Sequence, residues 1–236
     1  MAEVHKGDLT VIFMTMNQHP RRWVDFHWQT LKYATEGFPM ILMTREDFPY
    51  QADMVYKDTD PPSHLNMYQK LLMLCKMATT PYIATAEDDT LYPREHFTFY
   101  RPEMDTIAYD RSRWSLYWWV PVYSLKQRIT NATLIAPREE YIDALEERVA
   151  KMSQAKPELV SEVGRYEKHL GVKPRKINNR LYCDVPTIQF DPPNSTDSLA
   201  RERRKKLGQL KANEIPYWGR AEKYIQIYGI NSSNTQ

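Results

Sequence analysis

Cysteine is almost missing from this 236-residue chain: only Cys75 and Cys183 occur. Two thiols so far apart in sequence build neither a disulfide framework nor a structural zinc site. The scarcity fits a reducing, cytoplasmic setting, in which the Asn-x-Ser/Thr matches at Asn131, Asn194 and Asn231 are coincidental. Glycine is scarce as well, 7 residues against 16 prolines, which excludes a collagen repeat or a Gly-rich linker. The longest apolar run, Leu9 to Met16, falls short of the ~20 residues that a membrane-spanning helix needs. The N-terminus lacks the basic region, apolar core and small-residue cleavage site of a signal peptide. A soluble protein without a membrane partner is therefore expected. No Walker A loop, G-x-G-x-x-G or G-x-S-x-G is present. The six histidines, at positions 5, 19, 27, 64, 96 and 169, show no paired metal spacing.

What is present reads as a globular protein. Apolar residues make up 42% and charged residues 26%, which excludes a mostly disordered chain. The net charge of +2 is unevenly spread. Residues 151–236 hold 16 Lys/Arg and 9 Asp/Glu, a surplus of +7, which leaves −5 on residues 1–150. A basic C-terminal third suits an anionic partner such as sugar-nucleotide phosphates or nucleic acid, and equally a solvated basic face.

The N-terminal half alternates strands and helices. Leu9 to Met16 is nearly all apolar and β-rich, as a strand buried on both faces of a parallel sheet reads. Val24, Trp28, Leu31 and Ala34 follow helical spacing, closed by Gly37 and Pro39. Met40–Met43 and Met54–Tyr56 are further strands, Tyr68 to Ala78 a helix, and Tyr82–Thr85 a fourth strand. Strand–helix alternation with short connections predicts an α/β fold with a mixed, mainly parallel sheet flanked by helices. Thr106–Tyr109, Trp114–Leu125 and Thr133–Ala136 are β-rich; Pro137 opens a helix to about Met152. A helix over Pro157 to His169, ended by Gly171, and a strand over Val185 to Phe190 complete the pattern. No linker divides the chain.

The sharpest feature is Glu87-Asp88-Asp89, directly after the fourth strand. In open α/β sheets ligands bind beyond the carboxyl ends of strands. Three adjacent carboxylates repel one another unless a cation sits among them, and Mg2+ or Mn2+ is the natural oxygen-liganded partner. A polar turn capping a following helix is the structural alternative.

The strand, helix, strand, helix, strand and acidic-triplet order resembles the nucleotide-binding half of GT-A-fold glycosyltransferases. Tyr68 to Ala78, Tyr82 to Pro93 and His96-Phe97 are similar to family-2-like glycosyltransferases of bacteriophages and some bacteria. Asp191-Pro-Pro-Asn-Ser-Thr196 and Ile215-Pro-Tyr-Trp-Gly219 resemble their C-terminal pattern, with Pro192-Pro193 in place of the usual His-Gly. The resemblance implies a single domain over 1–236. It would comprise a nucleotide-sugar half (1–100), an acceptor-side half (101–190) and a basic C-terminal segment (191–236). It also implies a nucleotide-sugar donor and Mn2+ or Mg2+ held by Asp89 and Glu87, with Asp191 a candidate third ligand.

Within that frame Thr15, Met16 and Asn17 end the first strand and Thr44 and Arg45 the second, where a base or ribose would meet the sheet. Lys70, Asp88 and Arg203 join the donor-binding candidates. Sugar transfer needs a base for the acceptor hydroxyl. Glu162 and Glu167 are the candidates; five residues apart, they would lie about 140° apart on an ideal helix, and Glu162 is favoured. Trp118 and Trp119, within an aromatic block from Trp114 to Tyr123, are candidate acceptor-stacking residues or plain core. Arg201 to Lys206 carries five positive charges in six residues, suited to a diphosphate or a nucleic-acid backbone. The expected activity is metal-dependent sugar transfer to an acceptor hydroxyl, with a hydroxymethylated pyrimidine of DNA as the leading acceptor and a protein or soluble glycan as the alternative. A non-catalytic nucleic-acid-binding module is the competing reading.

Overall fold

A computed structural model describes residues 7–153, 161–193 and 207–229. Its central sheet has seven strands. Their ranges are β1 Leu9–Met14, β2 Met40–Thr44, β3 Met54–Lys57, β4 Tyr82–Glu87, β6 Thr106–Asp110, β9 Leu134–Pro137 and β10 Lys176–Leu181. The order is β10-β6-β9-β4-β1-β2-β3. All neighbours are parallel except β9, which runs antiparallel to both β4 and β6.

The two-residue period of β1 divides the core. Leu9, Val11 and Phe13 pack with Trp28, Leu31 and Ala34 of helix α1 (Arg21–Ala34). Ile12 and Met14 face the other way, with Tyr68, Leu71, Leu74 and Cys75 of α2 (His64–Met77) and Tyr141 and Leu145 of α4 (Arg138–Met152). Ser63 caps α2 by accepting from the Asn66 amide at 3.0 Å. Between these elements lie β5 (Thr90–Leu91) and the short α3 (Arg94–Thr98).

The aromatic middle of the chain builds a second sheet. It comprises β5, β7 (Trp114–Tyr117), β8 (Val120–Leu125), β11 (Ile188–Asp191) and β12 (Lys211–Ala212), in the order β12-β8-β7-β11-β5. A third core lies under it, where Leu91, Leu116 and Phe190 meet Trp23 of α1 and Tyr224 and Tyr228 of α6 (Glu222–Tyr228). The ribbon β13–β14 (Glu214–Ile215, Gly219–Arg220) precedes α6. Among the described residues no helix is long and apolar enough to cross a membrane.

One expected element differs. Of the helix anticipated over 157–169, residues 157–160 lie outside the described part, and 161–166 form a turn before the single-turn α5 (Glu167–Leu170). Gly164 at φ +95° and Tyr166 at φ +57° take left-handed backbone, which a right-handed helix cannot contain. A Cβ on Gly164 would meet Ile177 at 2.9 Å, so the turn is packed as well as bent. The turn is anchored by Arg148 of α4, which is 1% exposed and donates to the carbonyls of Ser161 (3.0 Å) and Arg165 (2.8 Å).

Arg148→Met removes two charge-assisted bonds and leaves two buried carbonyls without donors. It should destabilise the protein by about 2–4 kcal/mol in urea unfolding, and proteolysis should cut first between residues 161 and 166.

Candidate active site

The acidic turn joins the two sheets. Glu87 ends β4, Asp88 and Asp89 form the turn, and Thr90 opens β5. It therefore caps no helix. Its backbone carbonyls are held from several sides. Trp23 Nε1 donates to Asp88 O (2.9 Å), the Phe190 amide to Asp89 O (2.7 Å), and His27 Nε2 lies 3.1 Å from Glu87 O and 2.9 Å from Thr90 O. Two carbonyl acceptors require a proton on His27 Nε2. Burial pushes this imidazole down to about 4, so it is a neutral donor.

The three carboxyls fare differently. Asp88 Oδ2 accepts from Thr15 Oγ1 (2.6 Å) and the Met16 amide (3.3 Å), and Oδ1 lies 3.2 Å from His19 Nε2. Burial favours its protonated form, but His19 and Thr15 outweigh that and hold it below the usual carboxylate range. Burial likewise lowers His19, and Asp88 more than restores it, so the imidazole sits above its ordinary value. Asp89 accepts from Thr90 Oγ1 (2.7 Å) and Gln189 Nε2 (3.2 Å), yet burial and the Asp88 charge raise it. Glu87 has no side-chain hydrogen bond among the described residues. Burial, then the charges of Asp89, Asp88 and Glu162, push it up to about 8, against the pull of Arg113.

The remaining sequence candidates fall into three groups. Asn17, at φ +57°, accepts on Oδ1 from Thr44 Oγ1 (2.9 Å) and the amides of Arg45 (2.8 Å) and Glu46 (3.1 Å), tying the ends of β1 and β2 together. Arg45 and Lys70 both reach the buried Asp58, at 2.9 and 3.4 Å, and Lys70 also pairs with Asp60 at 2.5 Å. Their charges are thus engaged on the β3 side, and Lys70 is not on an exposed helix face. Trp118 and Trp119 form the half-buried β7–β8 turn, with the Trp118 amide donating to Asp191 O at 3.2 Å.

The structure brings Glu162 within electrostatic reach of Glu87, while its Oε2 pairs with Arg165 at 2.8 Å. Glu167 Oε1 accepts from the Gly164 amide at 2.8 Å and supports the turn. Arg203 and the basic run lie outside the described residues. Sequence reasoning missed His19, His27, Arg113, Gln189 and Tyr228. His19 had a signal, since it follows β1 at the sheet edge that bears the triplet; the others come from distant segments.

No group of three or more His, Cys, Asp or Glu side chains among the described residues is arranged to hold a metal. The donor set nonetheless suits one. Glu87 is a carboxyl without a hydrogen-bond donor, crowded by two others. That is the chemistry of a hard cation held by one or two carboxylates, with water and phosphate oxygens completing its shell.

The chain matches no protein-family model and no curated protein sequence. Solved structures are similar in fold. The apo-form glycosyltransferase GlyE of Streptococcus pneumoniae TIGR4 superposes with a TM-score of 0.51 at 8% identity, over 96% of this chain and 61% of that one. Mannosyltransferase PcManGT of Pyrobaculum calidifontis, solved with GDP-Man and Mn2+, gives 0.47 at 13% identity, over 84% and 60%. A glycosyltransferase involved in glycosylation of the major capsid of PBCV-1 gives 0.46 at 8%, over 83% and 98%. The chain thus spans about three fifths of the length of PcManGT and GlyE. Its fold is a GT-A-type mixed α/β fold with a mostly parallel central sheet.

The raised Glu87 gives a test that needs no substrate. The folded protein keeps this proton up to about pH 8, whereas the unfolded chain releases it near 4.5. The carboxyl therefore destabilises the metal-free fold increasingly as pH rises through that window. Glu87→Gln removes the penalty. Its melting midpoint should exceed wild type by about 5 °C at pH 8 and by much less at pH 5.

Proposed function

We propose that the protein is a metal-dependent glycosyltransferase that moves a sugar from a nucleotide-sugar donor to an acceptor hydroxyl. The observation that carries this reading is the crowded carboxylate turn at the end of the central strand β4, in a GT-A-type fold. In this reading Asp89 and Glu87 hold Mn2+ or Mg2+, and Asp191, at the end of β11, is the further candidate ligand. The cation would supply charge stabilisation for the departing nucleoside diphosphate. Asp88, fixed to Thr15, Met16 and His19, would shape the donor site at the adjacent ends of β1 and β4. Asn17, Thr44 and Arg45 form the rim that meets the base or ribose, and Lys70 braces it through Asp58.

Glu162 is the proposed base for the acceptor hydroxyl. Its neighbourhood with Glu87 supports this assignment over Glu167, whose carboxylate is spent on the Gly164 amide. Release of Glu162 from Arg165 would accompany acceptor entry. Trp118 and Trp119 flank the end of β11 and would stack on the acceptor. The +7 charge of residues 151–236 favours a nucleic-acid acceptor carrying a hydroxyl-bearing pyrimidine.

Three measurements test these assignments. Excess EDTA or Asp89→Asn should abolish donor hydrolysis and transfer; full activity in EDTA overturns the metal reading. Glu162→Gln should lower turnover by ~10²–10⁴-fold with little change in donor affinity. Binding to hydroxymethylated duplex DNA should weaken steeply with salt; salt-independent binding redirects the acceptor to a protein or glycan.

A further inference from the structure

Arg113 enters β7 and is 2% exposed. Its Nη1 donates to Gln189 Oε1, while Nε and Nη2 meet no acceptor among the described residues. An isolated buried guanidinium is costly, because the water it gives up is not replaced. Something must answer its charge, and no carboxylate forms a direct ion pair with it among the described residues. The charges that favour its protonated form most are those of Asp89 and Glu87. Burial draws the guanidinium down only to about 10, so it is a cation at neutral pH.

Gln189 completes the connection. It sits on β11, paired with Thr90 of β5 on one side and Ser115 of β7 on the other. Its carbonyl oxygen accepts a hydrogen bond from Arg113 Nη1, and its Nε2 donates to Asp89 Oδ2 at 3.2 Å, with Oδ1 at 3.5 Å. A carboxamide in this position has no freedom to flip, because the reversed amide would set N–H against guanidinium and oxygen against carboxylate. The chain Arg113–Gln189–Asp89 therefore has one polarity.

We propose that Arg113 is the resident counter-ion of the carboxylate turn: through Gln189 its guanidinium offsets the charge of Asp89 and fixes the orientation of the Asp89 carboxylate. It is a positioning residue, held back from the cleft behind Gln189. Its value to the metal site rests on the reading above, since a carboxylate already aimed by its partners needs no rearrangement when a cation binds. The electrostatic pairing itself requires no metal.

The experiment is a double-mutant cycle on the metal-free full chain, read as melting midpoints. Arg113→Gln should lower the midpoint by about 10 °C, and Arg113→Lys should restore more than half of the loss. In a Glu87→Gln/Asp89→Asn background the same Arg113→Gln change should cost less than half as much. An undiminished cost in that background, or no rescue by lysine, means that Arg113 only fills space and overturns the proposal. If Arg113→Gln folds only in the neutralised background, the proposal stands. If it folds in neither, Gln189→Met decides: its cost should largely vanish beside Asp89→Ala, and an additive result overturns the relay. The sugar-transfer reading is judged separately, by whether Mn2+ and nucleotide-sugars raise the wild-type midpoint. Absence of any such shift would sink that reading and leave the cycle intact.

Discussion

Three carboxyls on consecutive residues at the end of β4 impose the constraint to which much of this structure answers. β4 lies between β9 and β1, with four further strands beyond, so its end cannot drift toward solvent to relieve the repulsion. Each carboxyl is accommodated in its own way. Asp88 is made an interior anion by Thr15, the Met16 amide and His19. Asp89 is held by Thr90 and Gln189. Glu87 finds no donor among the described residues and keeps its proton instead. Like charges packed this closely cannot all ionise unaided.

The backbone carbonyls of the turn are, by contrast, each served. The carbonyls of Glu87, Asp88 and Asp89 accept from His27, Trp23 and the Phe190 amide. Those donors come from α1 and β11, so one helix and one strand of the second sheet lock the same four residues. α6 adds to the clamp through Tyr228, whose hydroxyl lies 3.3 Å from His19 Nδ1 and whose ring meets Trp23 edge-on and lies tilted against Phe190. With the turn's carbonyls and Asp88 served, the unspent coordinating capacity of its side chains is that of Glu87 and the remaining lone pairs of Asp89. A ligand of the turn is then an electrophile toward carboxylate oxygen, and a hard cation is the simplest one.

Much of this was legible in the chain. β1, β2 and β4 are buried on both faces, and their continuous apolar runs say so. α1, α2 and α4 carry stripes at helical spacing bounded by Pro20, Ser63 and Pro137. That Thr15, Asn17, Thr44 and the acidic triplet gather at one sheet edge follows from three parallel strands. What each side chain does there does not follow. Asn17 bonds to residues 27–29 positions away, and Lys70 is drawn to Asp58 and Asp60 rather than to solvent. β10 reads Lys-Ile-Asn-Asn-Arg-Leu, a polar edge strand without apolar alternation, and was invisible for that reason. α6 hides because it is only seven residues long, too short for a helical period to show. The helix expected across Glu162 fails on Gly164 and Tyr166, whose left-handed backbone only the packed turn reveals.

The acidic turn is also the seam of the molecule. Residue 87 belongs to the seven-stranded sheet and residue 90 to the five-stranded one, and two carboxylate residues make this crossing, one of several between the sheets. Arg113 and Gln189 approach that seam from the second sheet, while Thr15 and His19 approach from the first. Charge at the turn therefore acts on both sheets at once. Uncompensated, it drives apart the strands whose edges carry it; compensated, it draws the end of β11 and the loop after β1 toward one point.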